Sequence, residues 1–181
     1  MTITETCLKG CFIIEPPVFK DERGYFFESY NAKEINNSLG LRVNFVQDNE
    51  SYSTKGVIRG LHFQTGAFAQ TKLIRVLSGT IVDVVVDIRK DSRTYGQHFW
   101  IELSGENKKQ LFIPKGFAHG FSVLSNTATF FYKCDNYYNK VAEKGIIFND
   151  ATLNIDWKVP AENAIISSKD LLLPNFNNIE L

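Results

Sequence analysis

Gly, Asn, Asp and Pro cut this chain into short runs rich in aromatic and β-branched residues, and that punctuation restricts it to a strand-built fold. Candidate strands are Phe12 to Phe19, Gly24 to Tyr30, Val43 to Ser53, Val57 to Gln64 and Thr71 to Leu77. Further candidates are Thr80 to Arg89, Tyr95 to Leu103, Gln110 to Ile113, Gly120 to Val123 and Ala128 to Asn136. Their regular spacing predicts a mainly β sandwich or barrel. The stretch LIRVLSGTIVDVVVDI, residues 73 to 88, turns on Ser78-Gly79 and reads as a hairpin with one buried face. Ala32 to Leu39 alone reads as an α-helix, stopped at Gly40, where glycine accepts the left-handed conformation. After Asn149 the alternation fades, which predicts loops and short helical turns laid over the barrel, ending in a polar LPNFNNIEL with a mobile tip. No repeat, low-complexity tract or linker interrupts the chain. The expectation is one domain over residues 1–181, with N-terminal strands in 1–30 and the looped segment in 150–181.

A chain of 181 residues can bury roughly 70% of its extended surface, enough for a core without disulfides or metal. Twenty Lys and Arg balance twenty Asp and Glu, leaving no basic excess to neutralise a nucleic acid or a membrane surface. Any charged ligand must therefore be met by a local cluster. Three cysteines, Cys7, Cys11 and Cys134, follow no apolar leader, so the expected compartment is the reducing cytoplasm. No apolar run approaches the ~20 residues of a membrane-spanning helix.

Histidine is the scarcest chemically useful residue. Of the three, His98 in YGQHFW reads as a surface or packing residue, whereas His62 and His119 sit in the distinctive segments RGLHFQ and IPKGFAHG. The second has the form Pro-x-Gly-x-x-His and resembles the second motif of the cupin superfamily, which implies a double-stranded β-helix, or jelly-roll, barrel. Many cupins hold a metal through a His-x-His and a Glu in their first motif. Here the corresponding place reads His62-Phe63-Gln64, one imidazole and one amide on the same strand face, a poor ligand set. No metal is expected.

A wider resemblance is more specific. In order, VFKDERGYFFESYN (18–31), FVQDNES (45–51), KGVIRGLHFQ (55–64), AQTKLIRV (69–76), VDVVVDIRKDSRTYG (82–96), IPKGFAHGFSVLS (113–125), FFYKCDNYY (130–138) and SSKD (167–170) resemble the dTDP-4-dehydrorhamnose 3,5-epimerases, over about residues 1–170. The resemblance implies inversion of C3 and C5 of a dTDP-linked 4-keto-6-deoxyhexose without a cofactor. It assigns the base to His62 with Asp170 as its partner, a pairing that fixes the imidazole tautomer and stabilises the imidazolium. Tyr132 becomes the acid on the opposite face, and Lys72 the donor that stabilises the enolate oxygen. Arg23, Arg59 and His119 would meet the pyrophosphate, where arginine suits bidentate contact. The resemblance adds Glu28, Gln47, Asn49, Glu143 and Lys169 as polar contacts and Tyr138 as a ring stacked on thymine.

One departure stands out: after HFQ, where the family carries a Pro-rich turn, this chain has Thr65-Gly66-Ala67-Phe68. The resemblance also implies a homodimer in which Arg23 and Glu28 complete the partner's site, and exchange of the N-terminal strands would cover an open sheet edge. Three readings stay open on the residues alone. They are a metal-free epimerase acting at both carbons or at one, a metal-dependent cupin, and a saccharide-binding cupin without chemistry.

Overall fold

The computed structural model describes residues 1–181, and the chain begins with strands β1 (Thr2–Glu5), β2 (Phe12–Glu15), β3 (Phe19–Asp21), β4 (Gly24–Phe26) and helix α1 (Ala32–Leu39). Then come β5 (Gln47–Thr54), β6 (Ile58–Gln64), β7 (Lys72–Ser78), β8 (Thr80–Asp87) and β9 (His98–Ser104). The last four strands are β10 (Gln110–Ile113), β11 (Phe117–Val123), β12 (Thr127–Cys134) and β13 (Glu143–Gly145), and 3₁₀ turns at Ala161–Asn163, Asp170–Leu172 and Phe176–Asn178 mark the C-terminal segment. The expected strand from Phe12 to Phe19 is broken by Pro16-Pro17, which supply no N–H groups to a ladder. β1 (TITE) and β13 (EKG) escape a sequence reading because neither offers an apolar run or alternation to read.

A six-stranded sheet runs β1-β2-β10-β7-β12-β5, a five-stranded sheet β13-β6-β11-β8-β9, and β3-β4 form a separate ribbon. From β5 to β8 and again from β9 to β13, every connection passes from one sheet to the other, so the two layers face each other across a shared interior. Helix α1 is capped by the Asn31 side chain, which accepts from Glu34 N–H, and stopped by Gly40 at φ 64°. It buries Ile35 against Ile14, Leu73 and Phe112 on the outer face of the larger sheet.

The stretch 73–88 is not a hairpin. β7 lies between β10 and β12, and β8 between β11 and β9, so neither has an edge left to offer the other. Gly79 alone, at φ 81°, carries the chain around the corner between sheets. Nor does β8 have one buried face. Ile81 and Val85 look into the interior with Ile74, Val76, Phe121 and Phe130. Val82, Val84 and Val86 look outward, where Ile146, Leu153, Trp157 and Phe176 cover them.

That cover comes from the looped C-terminal segment. Trp157 is buried and its Nε1–H donates to the Phe148 carbonyl at 2.7 Å. Phe176 is also buried, packs on Tyr95 with centroids 5.1 Å apart, and its backbone N–H donates to Asp150 at 2.8 Å. The segment expected to end in a mobile tip is thus packed as far as Phe176, and it delivers Asp170 to the sheet. No helix is long and apolar enough to cross a membrane.

Candidate active site

A cavity of about 650 Å³ opens between the two sheets. On the larger sheet the period of two decides which side chains reach it, whereas on β6 the irregular register opposite His119 to Phe121 brings Arg59 and His62, three residues apart, to the same side. On the larger sheet, Ile74, Val76 and Phe130 fill the interior. Lys72 and Tyr132 occupy same-face positions nearer the mouth, and Asn49 faces Tyr132 across the β5–β12 ladder. The smaller sheet contributes Arg59, His62 and His119. His62 and His119 are direct partners in the β6–β11 ladder, so both imidazoles share a wall. His62 and Tyr132 lie on opposite walls.

Gly60 permits this approach. At φ 113°, a Cβ on it would lie 2.7 Å from both Gly120 Cα and the His119 carbonyl oxygen, so any side chain would push the two histidine strands apart.

His62 Nε2 lies 2.8 Å from Asp170 Oδ1, and Gly60 N–H donates to Asp170 Oδ2 at 3.2 Å. Burial alone would raise the Asp170 carboxyl, but the bonds from His62 and Gly60 outweigh it and hold the group below its usual range. An ionised Asp170 accepts from Nε2–H and leaves Nδ1 unprotonated. Nδ1 has no protein partner. Because no side-chain nitrogen or oxygen is both buried and unpartnered, Nδ1 opens on the cavity.

Opposite it, burial pushes the Tyr132 phenol up to about 12, with repulsion from Cys134 and Glu143 adding to the effect. The phenol therefore stays protonated at neutral pH. The Lys72 ammonium lies 5.6 Å from the Tyr132 ring centroid and is drawn below its ordinary value by burial, against the pull of Cys134, Asp83 and Glu143. It makes no ion pair or hydrogen bond within the chain and lines the cavity. An unpaired ammonium in a partly dry chamber is an electrostatic partner for developing negative charge.

The remaining expected residues fall into two groups. Tyr138 O–H donates to Glu143 at 3.0 Å, and Lys169 pairs with the same carboxylate, which links the mouth to the segment carrying Asp170. Arg59 Nε donates to Ser53 Oγ at 3.0 Å and leaves the guanidinium end free beside His62. Gln47 does not line the cavity; its amide donates to Asn49 and accepts from Tyr138 N–H, each at 3.0 Å, so it braces two groups that do. Arg23 and Glu28 are not brought into this chain's cavity. The β3–β4 ribbon shares no ladder with either sheet, and the Arg23 side chain, 84% exposed, turns back onto Asp21.

Two groups carry more of the site than the sequence suggested. Gln64 donates to the Phe68 carbonyl at 3.0 Å and accepts from Asn139 N–H at 2.6 Å, tying together the loops on either side of the mouth. The Thr65 to Phe68 loop, lacking proline, is held in this way and by Asn136, which donates to the Ala67 carbonyl at 2.8 Å. Asp83, on β8, is fully buried against His119. Its only sequence signal is an acid at an interior-facing position of an apolar strand. No three His, Cys, Asp or Glu side chains cluster as metal ligands.

Comparison with known proteins agrees with this geometry. The family profile described as dTDP-4-dehydrorhamnose 3,5-epimerase matches residues 5–178. A protein of that name from Shigella flexneri is 51% identical over 171 residues, covering 94% of this chain and 93% of its own. The crystal structure of dTDP-4-dehydrorhamnose 3,5-epimerase from Elizabethkingia anophelis superposes with a TM-score of 0.95 at 54% identity, covering 98% of this chain and 97% of that one. The dTDP-6-deoxy-D-glucose-3,5-epimerase of Legionella pneumophila, solved in complex with dTDP-4-keto-L-rhamnose, also gives 0.95 at 49% identity, covering 99% and 94%. These neighbours carry the cupin jelly-roll architecture that the two facing sheets form here.

Proposed function

Since the chain belongs to the dTDP-4-dehydrorhamnose 3,5-epimerase family, we propose that it inverts C3 and C5 of dTDP-4-keto-6-deoxyglucose by acid–base chemistry across its cavity. One observation carries the reading: a carboxylate-held imidazole, His62 with Asp170, faces a protonated phenol, Tyr132, on the opposite wall.

Both reacting carbons are α to the C4 ketone, so each C–H is acidified by the carbonyl and needs only a base of moderate strength. His62 Nδ1 takes the proton from one face, and Asp170 stabilises the resulting imidazolium. The electron pair moves onto the C4 oxygen, where the Lys72 ammonium meets the enolate. Tyr132 then donates its proton to the same carbon from the opposite face, which inverts it. A phenol held near 12 is a weak acid, matched to a strongly basic enolate carbon. Solvent water then takes the proton from the His62 imidazolium and reprotonates the Tyr132 phenolate, and repetition at the other α-carbon completes the double inversion. Proton transfer moves no electrons to an external carrier, so the reaction calls for no redox cofactor.

Arg59, Asn49, Lys169, Glu143 and Tyr138 line the cavity and its mouth, suited to the diphosphate, sugar and thymine. Arg23 and Glu28 act in a homodimer, completing the partner's cavity. Exposed Phe19, Tyr25 and Phe26 on the separate β3–β4 ribbon support that role, since such aromatic clusters favour a protein interface. The enzyme works as one domain in the cytoplasm, where nucleotide-linked sugars are at hand.

Incubation with dTDP-4-keto-6-deoxyglucose in deuterated water tests the reading. Deuterium at both C3 and C5 is the expected result. Label at one carbon would reduce the activity to a single-site epimerase, and label at neither would refute it.

A further inference from the structure

Arg23 can serve a partner's cavity only if the ribbon that carries it is held in a fixed direction. The two strands pair Phe19 with Phe26, Lys20 with Tyr25 and Asp21 with Gly24, and nothing more. A two-stranded ribbon of that length is marginally stable at best in water. The Asp21–Arg23 ion pair lies within the ribbon and gives it no direction. One hydrogen bond joins residues 19–26 to another element: Lys108 Nζ donates to the Tyr25 hydroxyl at 2.8 Å. The same ammonium lies 4.0 Å from the Tyr25 ring centroid and 5.8 Å from that of Phe27, so a hydrogen bond and cation–π attraction act together.

The loop between β9 and β10 is built to aim this lysine. Asn107 accepts from the Ser104 and Lys109 backbone N–H groups at 3.1 and 3.0 Å, and it donates to the Glu102 carbonyl at 3.0 Å. Gly105 N–H donates to the Gly79 carbonyl at 3.0 Å, which seats the loop on the corner between β7 and β8. Lys108 has φ 56°, in the left-handed region that glycine adopts freely and a residue with a Cβ resists. That strain falls on the residue whose side chain reaches the ribbon. Gln110, which donates to the Ser29 carbonyl at 2.8 Å, and Arg75, 5.8 Å from the Phe27 ring, fix only the chain that leaves the ribbon. Lys108 holds it further out, at Tyr25, two residues from Arg23.

We propose that Lys108 is a positioning residue for the partner subunit's site: it latches the β3–β4 ribbon through Tyr25, so that Arg23 arrives at the diphosphate of a substrate bound in the partner's cavity. The proposal rests on the homodimer reading and adds the device that aims the ribbon. A ribbon aimed in advance spares the binding step the ordering of Arg23. Loss of the latch therefore weakens substrate binding and leaves the base and acid of the cavity as they were. KM should rise while kcat holds.

The test uses mixed dimers of one parent chain and one His62→Ala chain, purified through two different tags. Only the parent chain's cavity works, and the His62→Ala chain lends it the ribbon. Carried by the His62→Ala chain, Lys108→Met should raise KM for dTDP-4-keto-6-deoxyglucose about tenfold, with kcat within about twofold. Carried by the parent chain, it should move KM by less than about twofold. An equal loss from either chain, a loss from the parent chain alone, no loss from the His62→Ala chain, or a fall in kcat in place of the rise in KM would each overturn the proposal. If Lys108→Met fails to fold, Tyr25→Ala removes the exposed end of the same contact without touching the β9–β10 loop, and it should show the same dependence on the chain that carries it. Arg23→Ala in the same two placements separates the failures. A KM raised by Arg23→Ala from the His62→Ala chain, beside an inert Lys108→Met, would refute this inference alone; Arg23→Ala acting only from the parent chain would refute the homodimer reading itself.

Discussion

Burial of Lys72 sets a pH limit that Tyr132 does not. The ammonium is the useful form, its pKa is lowered by desolvation, and its contribution is complete below that lowered value and lost as pH rises through it. Tyr132, held near 12, loses its proton only far above. The alkaline limb of kcat should therefore report Lys72: Lys72→Arg should move it to higher pH, and Lys72→Met should lower kcat roughly 100- to 1,000-fold. A limb unmoved by the arginine would assign it elsewhere. At this scale the sequence was informative where a residue type is scarce and its neighbours distinctive, as for His62, Tyr132 and Asp170, which converge on the cavity from three separate segments. It was silent on Asp83, because a strand aspartate becomes significant only once both faces of its strand are buried.

Elements follow from local pattern, but their partners do not. Alternation and breakers located most strands within a few residues, and the Asn31 and Gly40 caps define α1. The Ser78-Gly79 turn resembles a hairpin in sequence because alternation says nothing of which sheet a strand joins; only the pairing of β7 and β8 with other strands excludes a hairpin. The corner itself is sterically demanding. A Cβ on Gly79 would lie 2.1 Å from the Thr127 carbonyl oxygen at φ 81°, so Gly79→Ala should destabilise the fold by about 1–3 kcal/mol or more. Trp157, 5% exposed under the smaller sheet, should cost about 3–5 kcal/mol as Trp157→Ala. Denaturant unfolding checks both, and parent-like midpoints would show that the corner and the C-terminal cover are dispensable.

For the molecule as a whole, the C-terminal segment joins stability to chemistry: the residues that cover the smaller sheet also carry Asp170 to His62. That this segment lies over the barrel follows from its fading alternation, but which of its side chains pack there does not, since contacts made by loops lack periodicity. The opposite end has the converse arrangement, with Arg23 on an exposed ribbon outside its own cavity. Sedimentation should find a dimer, and Arg23→Ala should weaken dTDP binding without altering the fold; a monomer of full activity would remove the ribbon from the site. The central claim is that base and acid act from opposite walls. Its most direct test is Tyr132→Phe in deuterated water with dTDP-4-keto-6-deoxyglucose, following label and configuration together by NMR. With the phenol gone, His62 should still remove and return protons on its own face, so deuterium should enter with retained configuration while inversion is lost. Inversion at the parent rate in that variant would contradict the account.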